Sequence, residues 1–128
     1  MILDTSAILA VLFDEPEREA YVELIVAQPV VGVGAPTLAE TSIVLASRVG
    51  EAAGRHLAGF VERAGLVVVP FDAAHWRAAA DAWLRFGRGR HQAALNLGDC
   101  LSYATARVAD RPLLAKGDDF RQTDLPLA

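Results

Sequence analysis

Short apolar runs alternate with longer amphipathic stretches along the whole chain. The apolar runs have the length of buried strands, and they lie at residues 1–4, 30–33, 66–69 and 113–114. The stretches between them repeat their apolar residues at helical spacing, which predicts helices at about 5–13, 16–26, 35–50, 51–64, 72–84 and 98–109. Between the last two helices, "FGRGRHQAALNLGD" is a predicted loop.

This alternation predicts the fold class. Strands that alternate with helices, without a hairpin signal between consecutive strands, are typical of an α/β domain with a parallel sheet. The 128 residues fit one domain, and they are enough to bury a core without disulfide bonds. The chain has no internal repeat, low-complexity tract or linker, so we expect a single domain over residues 1–128.

Composition and charge narrow the possible functions. The net charge of −4 argues against a generic basic nucleic-acid-binding protein, although bound metal ions could bring phosphate to an acidic surface. The single cysteine, Cys100, excludes an internal disulfide framework and fits a reducing compartment. Neither a signal peptide nor an apolar run of membrane-spanning length is visible, and we therefore expect a cytoplasmic protein.

Acidic residues fall at one predicted edge of the sheet. They follow the first strand, the second strand and the last strand, or begin the last helix: Asp4, Glu40, Asp99, Asp118 and Asp119. Ligands of parallel sheets bind outside the carboxyl ends of the strands, so these side chains are expected to lie near one another. Each one also has an ordinary structural explanation as a helix cap, a first-turn acid or a turn residue.

Asp99 is the most informative of these acids. It stands between the apolar segment "AALNL" and the residues Cys100 and Leu101. An ionised carboxylate in such a setting costs free energy unless another group pairs with it. Alternatively, Asp99 caps its own helix, because aspartate is a favoured N-cap residue. Both interpretations are open at the level of sequence.

A cluster of carboxylates needs protons or a cation to offset its repulsion. Mg²⁺ and Mn²⁺ prefer oxygen ligands, whereas the chain lacks the paired histidine and cysteine spacing of a zinc site. Acidic clusters that hold such ions typically catalyse phosphoryl transfer or phosphodiester hydrolysis. The sequence therefore favours a metal-dependent reaction on a phosphodiester.

Four segments together resemble the PIN-domain ribonucleases, and more closely the VapC toxins of bacterial toxin–antitoxin pairs. They are "MILDTSAIL", "TLAETSIVL", "HQAALNLGDCLSYATA" and "PLLAKGDDF", and they span nearly the whole chain. The resemblance implies a three-layer α/β/α sandwich with a short, mostly parallel central sheet. It also implies Mg²⁺- or Mn²⁺-dependent endonucleolytic cleavage of RNA, often structured RNA such as tRNA.

The same resemblance implies partners and site residues. The expected partners are a VapB-like antitoxin, an RNA substrate and a second copy of the chain in a homodimer, without a membrane. The matching catalytic positions are Asp4, Glu40, Asp99 and Asp118. Asp4 and Asp99 are the expected metal ligands, Asp119 is the alternative fourth acid, and Ser6 is an additional candidate beside Asp4.

Two further groups of residues could contact a ligand or a partner. Arg88, Arg90 and His91 form a local basic segment that could bind RNA phosphates or could be an ordinary solvated loop. Trp76 and Trp83 lie seven residues apart on one helix face. We expect them in the core or on a dimer or antitoxin surface, rather than stacked on bases.

Other function classes remain possible from the sequence. The chain could be a non-catalytic partner-binding module, in which the acids are only caps and turns, or a PIN-like nuclease that acts on DNA. A receiver-like phosphoacceptor domain is disfavoured, because Lys116 is the only lysine and lacks the expected context. Mg²⁺-dependent, EDTA-sensitive cleavage of RNA would distinguish the first alternative, and a comparison of RNA with DNA would distinguish the second.

Overall fold

The computed structural model describes residues 1–128, in which short strands alternate with helices. The strands are β1 (Ile2–Leu3), β2 (Gly32–Gly34), β3 (Val67–Val69) and β4 (Leu113–Leu114). The helices are α1 (Thr5–Leu12), α2 (Arg18–Ala27), α3 (Ala35–Val49), α4 (Ala53–Arg63), α5 (Ala73–Phe86) and α6 (Leu97–Ala109). Two 3₁₀ turns, Gly50–Ala52 and Asp119–Gln122, complete the regular structure.

All strands of the sheet are parallel, in the order β3-β2-β1-β4. The central strand β1 pairs Leu3 with Val33 on one side and with Leu114 on the other. Because the strands share one direction, their carboxyl ends lie at the same edge of the sheet. The chain segments that follow β1, β2 and β4 therefore begin close together, as the predicted parallel α/β fold requires.

Successive side chains of the two central strands face opposite layers of helices. Leu3 and Leu114 pack in a core with the helices α1 to α4. Ile2 and Leu113 point to the other face, where they pack with α5 and α6 around the buried Tyr103. This arrangement confirms the predicted α/β/α sandwich with a short parallel sheet.

The last helix begins earlier than the sequence predicts. It starts at Leu97, and its N-cap is Asn96 rather than Gly98 or Asp99. The Asn96 side chain accepts a hydrogen bond from the N–H of Asp99 at 2.9 Å. Asparagine caps a helix as well as aspartate does, so local preference alone could not separate the two positions.

Two other predicted boundaries also shift. The second strand is Gly32–Gly34 instead of 30–33, because these are the residues that pair with β3, while Val30 is exposed. The predicted helix over 51–64 is a 3₁₀ turn followed by α4. Both differences move boundaries by a few residues and leave the order of elements unchanged.

The two tryptophans of α5 lie at the surface, so of the positions expected for them the core is excluded and the partner surface remains. Trp76 is 61% exposed and Trp83 is 39% exposed. They line a groove of about 620 Å³ between α5 and α6, which we call the apolar groove because all its lining residues are apolar. Its other lining residues are Phe71, Ala79, Ala80, Leu84, Leu97, Cys100 and Leu101. This surface is available to a partner.

The C-terminal segment covers the free side of β4. The N–H of Leu113 donates to the Pro126 carbonyl, and the N–H of Ala128 donates to the Leu113 carbonyl, both at 3.0 Å. The Tyr103 hydroxyl donates to Asp124 at 2.7 Å, which ties this segment to α6. No helix of the chain combines the length and apolarity needed to cross a membrane.

Candidate active site

Asp4 leaves β1 at the carboxyl edge of the sheet and is the N-cap of α1. Its Oδ2 accepts hydrogen bonds from the N–H and the hydroxyl of Ser6, at 2.9 and 2.5 Å. Its Oδ1 accepts no hydrogen bond and still keeps some contact with solvent, although the residue is only 4% exposed. Helix capping and metal binding by Asp4 are therefore compatible, because they use different oxygens.

Ser6 connects Asp4 to the segment that follows β4. Its hydroxyl donates to Asp4 and accepts a hydrogen bond from the N–H of Lys116 at 2.9 Å. The Lys116 ammonium lies 2.6 Å from the Glu15 carboxylate, so the only lysine of the chain is engaged in an ion pair. Ser6 therefore holds Oδ2 of Asp4 with two hydrogen bonds and links it to the segment after β4.

Asp99 is the third residue of α6 and forms a capping box with Asn96. Its Oδ2 accepts a hydrogen bond from the Asn96 N–H at 2.9 Å. Burial raises the pKa of Asp99 to about 6; the hydrogen bond from Asn96 opposes this shift, and the charges of Asp4, Asp119 and Glu40 add to it. The charges of other acids at this edge of the sheet therefore act on the partly buried carboxyl group of Asp99.

Glu40 reaches the start of α6 from α3. Its carboxylate lies against Gly98, and a Cβ at Gly98 would overlap Oε2 and lie 2.7 Å from Cδ. Only a residue without a side chain accommodates this approach. Sequence reasoning missed Gly98, and the available signal was a glycine inside the first turn of a helix, where glycine is otherwise unfavourable.

The neighbouring aspartates after β4 lie in different environments. The side chain of Asp118 is 82% exposed, and its Oδ1 lies 3.3 Å from Nε of Arg121. Asp119 begins the 3₁₀ turn, and its charge contributes to the raised pKa of Asp99. Both aspartates are exposed, and the difference between them is that only the charge of Asp119 acts on Asp99, whereas the spacing in the sequence favoured Asp118.

The donors at this edge fit a hard divalent ion. No three acidic, histidine or cysteine side chains lie close enough to form a complete cage. Mg²⁺ commonly keeps several waters and binds through one or two carboxylates, and Oδ1 is free of hydrogen bonds in both Asp4 and Asp99. A cation would also relieve the repulsion that acts on Asp99.

The basic segment between α5 and α6 forms a hydrogen-bonded loop. The N–H groups of Arg90 and His91 both donate to the Gly87 carbonyl, at 2.9 and 3.1 Å. The side chains of Arg88 and Arg90 are exposed and have no acidic partner within 4.0 Å. His91 stabilises the loop itself, because its Nδ1 accepts a hydrogen bond from the Ala93 N–H at 3.1 Å.

Residues 1–125 match the family model described as the PIN domain. Ribonuclease VapC of Mycolicibacterium smegmatis is 46% identical over 125 residues, which cover 98% of this chain and 97% of that protein. The chain belongs to the PIN-domain family of VapC ribonucleases. Ribonuclease VapC30 of Mycobacterium tuberculosis is 40% identical over 125 residues, covering 98% of this chain and 95% of that VapC protein.

Solved VapC structures have the same fold. The sarcin-ricin loop cleaving toxin VapC20 of Mycobacterium tuberculosis superposes with a TM-score of 0.78 at 22% identity, covering 99% of this chain and 97% of that chain. VapBC2 from Rickettsia felis, bound to a DNA fragment from its promoter, superposes with a TM-score of 0.78 at 16% sequence identity. The match covers 99% of this chain and 96% of that chain. The predicted PIN fold and VapC-type ribonuclease function are confirmed, and the receiver-like alternative is wrong.

Replacement of Gly98 by alanine should lower the rate of RNA cleavage without unfolding the protein. The new methyl group would displace the Glu40 carboxylate, and a shift of about 1 Å at a reacting centre can cost roughly 100-fold in rate. Cleavage of a labelled RNA under saturating conditions would show the loss in kcat. Gly54→Ala in α4 is the matched control, because its Cβ would meet open space; equal kcat in both variants would contradict the role of Gly98.

Asp99→Asn should stabilise the metal-free protein at neutral pH and lose this advantage in acid. Folding raises the pKa of Asp99 from 3.8 to about 6, so the folded protein binds this proton more tightly than the unfolded chain does. The contribution of Asp99 to the free energy of unfolding is therefore fully present below pH 3.8 and is lost as the pH rises through 6. We expect a gain of about 1–2 kcal/mol at pH 7.5, after allowance for solvent screening.

Urea unfolding in EDTA between pH 4 and pH 8 measures this difference. Asp118→Asn is the control, because this exposed carboxylate is not among the groups that act on Asp99. A stability difference between Asp99→Asn and wild type that stays constant across this pH range would contradict the expected linkage.

Proposed function

We propose that this VapC-type ribonuclease is a divalent-metal-dependent endoribonuclease whose site is the acidic edge of the sheet. The observation that carries the proposal is the environment of Asp99, whose pKa is raised first by burial and then by the charges of three other acids. Such an arrangement lowers the stability of the metal-free protein and favours the binding of a cation. RNA cleavage inside the cell also agrees with the cytoplasmic location expected from the sequence.

In this proposal, Asp4 and Asp99 hold Mg²⁺ or Mn²⁺, each through the oxygen that is not engaged in a helix cap. When bound, the metal supplies a Lewis acid for the scissile phosphate and lowers the pKa of a bound water. Glu40 lies against the first turn of α6, where its carboxylate can accept a proton from the attacking water. Ser6 keeps Asp4 in its orientation.

Asp119 is the proposed fourth acid in place of Asp118. Its charge acts on Asp99, while the charge of Asp118 is not among those that do and is paired with Arg121. Asp119 would add negative charge to the cation site and orient water there. The neighbouring Asp118 would then contribute little to the reaction.

The proposed substrate is structured RNA, and tRNA is the leading candidate. Arg88 and Arg90 support this proposal, because their guanidinium groups are exposed, unpaired and supported by a hydrogen-bonded loop just before α6. Guanidinium groups bind phosphates through two parallel hydrogen bonds. His91 contributes to the shape of this loop more directly than to RNA contact.

A VapB-like antitoxin is the proposed protein partner. The related structures of known toxins include toxin–antitoxin complexes. A groove of about 790 Å³ between α1, α2 and α4 is lined by apolar residues that include Leu12, Val22, Ile25 and Phe60. Its charged lining consists of Arg63 and of Arg18 with Asp14, which pair at 3.5 Å, so that Arg63 is the guanidinium left for an acidic group of a partner. An amphipathic antitoxin segment with acidic residues would complement this groove.

A second copy of the chain is the proposed occupant of the apolar groove between α5 and α6. All residues that line this groove are apolar, and Trp76, Leu84 and Leu97 are each more than half exposed. A surface of this kind, without charge that would specify a different partner, suits the self-complementary contact of a two-fold dimer.

Asp4→Asn and Asp119→Asn should abolish most cleavage, while Asp118→Asn should leave it nearly intact. We expect a loss of about 100-fold in kcat for Asp4→Asn, the usual size for one group that stabilises transition-state charge. For Asp119→Asn we expect roughly 10-fold, because its charge acts on Asp99, and for Asp118→Asn less than about 2-fold, because its charge is paired with Arg121 at the surface.

The assay uses a labelled RNA hairpin and a DNA hairpin of the same sequence, each with Mg²⁺ or with EDTA. Cleavage of RNA that needs Mg²⁺ and spares DNA supports the proposal. Wild-type cleavage in EDTA would contradict metal dependence, and preferential cleavage of DNA would favour the alternative nuclease. An Asp118→Asn defect larger than that of Asp119→Asn would reverse the assignment of the fourth acid.

Leu84→Arg should convert the proposed homodimer to a monomer. The substitution places a charge in the proposed apolar interface, where it would lack a partner. Size-exclusion chromatography with light scattering measures the mass. Ile43→Arg on α3 is the control, since Ile43 is 72% exposed, against 61% for Leu84, and lies outside the groove. A monomeric wild type, or a dimer that both variants preserve, would contradict this interface.

A further inference from the structure

Hydroxyl side chains form a buried cluster beneath the acidic edge. We define the hydroxyl cluster as Thr5, Thr37, Thr41 and Ser102, which are between 0% and 7% exposed. They come from three helices: α1 contributes one, α3 contributes two and α6 contributes one. The cluster is therefore the polar contact among the helices that carry the acidic residues.

Short contacts connect its members. The Thr41 hydroxyl donates to the Thr37 carbonyl at 2.7 Å and lies 3.2 Å from Thr5 Oγ1. The Thr5 hydroxyl is 3.4 Å from the same Thr37 carbonyl. The Thr37 and Ser102 hydroxyl oxygens are 3.2 Å apart, which extends the cluster to α6.

Each helix in this cluster also carries one of the acids or directly follows it. Thr5 is the residue after Asp4, and Thr41 is the residue after Glu40. Ser102 lies three residues after Asp99, and so about one helical turn away. A shift of one helix against another would change the cluster and the spacing of the carboxylates together.

The cluster is difficult to explain by stability alone. Buried hydroxyl pairs of this kind contribute little more to stability than apolar side chains of the same shape would. Their hydrogen bonds, however, depend strongly on distance and direction, so they specify one relative position of the helices. Apolar contacts tolerate small sliding movements more readily.

We propose that Thr41, with Thr5, Thr37 and Ser102, acts as a positioning group that holds the acid-bearing ends of α1, α3 and α6 in register for the divalent cation. The proposal rests on the proposed function, because it assigns these residues to the same metal site. None of the four hydroxyls is proposed to contact the metal or the RNA. Their effect passes through the backbone to the adjacent acids.

Thr41→Val tests the proposal, since valine has the shape of threonine and lacks the hydroxyl. We expect Mn²⁺ binding, measured by calorimetry without RNA, to weaken about 10-fold, the lower end of the range for groups that support metal ligands. The kcat for RNA cleavage should fall with little change in KM. Thr41→Ser keeps the hydroxyl and should restore both values to within about 2-fold of wild type.

Thr105→Val is the matched control. Thr105 is completely buried on α6, and its hydroxyl bonds only within its own helix, to the Leu101 carbonyl at 2.9 Å. This variant should bind Mn²⁺ as wild type does, whatever its thermal stability. Equal Mn²⁺ affinity in Thr41→Val and wild type, or an equal loss in Thr41→Val and Thr105→Val, would overturn the proposal.

Ser102→Ala provides an independent test if Thr41→Val does not fold. It removes the link between α3 and α6, and it should also weaken Mn²⁺ binding; unchanged affinity would count against the cluster. A wild type that binds no Mn²⁺ would instead overturn the proposed metal-dependent function. Wild-type binding together with unaffected variants would overturn only the positioning role.

Discussion

The burial of carboxylates close to one another, at the carboxyl edge of the parallel sheet, is the constraint on which the rest of the site depends. Asp4 is almost fully buried, and Asp99 is partly buried with a pKa raised to about 6. The protein offsets part of this cost with hydrogen bonds from Ser6 and from the Asn96 backbone. The remaining repulsion is the property that a divalent cation would relieve.

The helix caps place these charges and leave part of each carboxylate free. Asp4 caps α1, and Asp99 completes the capping box of α6, so each uses one oxygen for the fold. Gly98 then allows the Glu40 carboxylate to approach the same helix end. Asp4 and Asp99, which are proposed for the chemistry, therefore also take part in helix caps, so the structural interpretation of these two acids does not exclude the functional one.

Much of the architecture follows from local sequence signals. Apolar runs bounded by Pro16, Gly65 and Asp72 predict the order of strands and helices, and the parallel sheet follows from the absence of hairpin turns. Asp4 is visible because it directly follows the first strand, and Glu40 is visible because it lies in the first turns of the helix after the second strand. Boundaries were less well predicted, as at Asn96, where two residue types with equal capping preference lie near each other.

The sequence by itself determined the fold class and the family, because these depend on hydrophobic spacing and on the order of motifs, and it supplied the acids that the proposed site uses. Only the tertiary structure shows that the charge of Asp119, rather than that of Asp118, acts on Asp99, since adjacent residues in a turn point in directions that local preference does not encode. The same holds for the Gly98 contact and the Thr41 hydroxyl. Both depend on distances between helices that are far apart in the chain, and such distances arise only when the core packs.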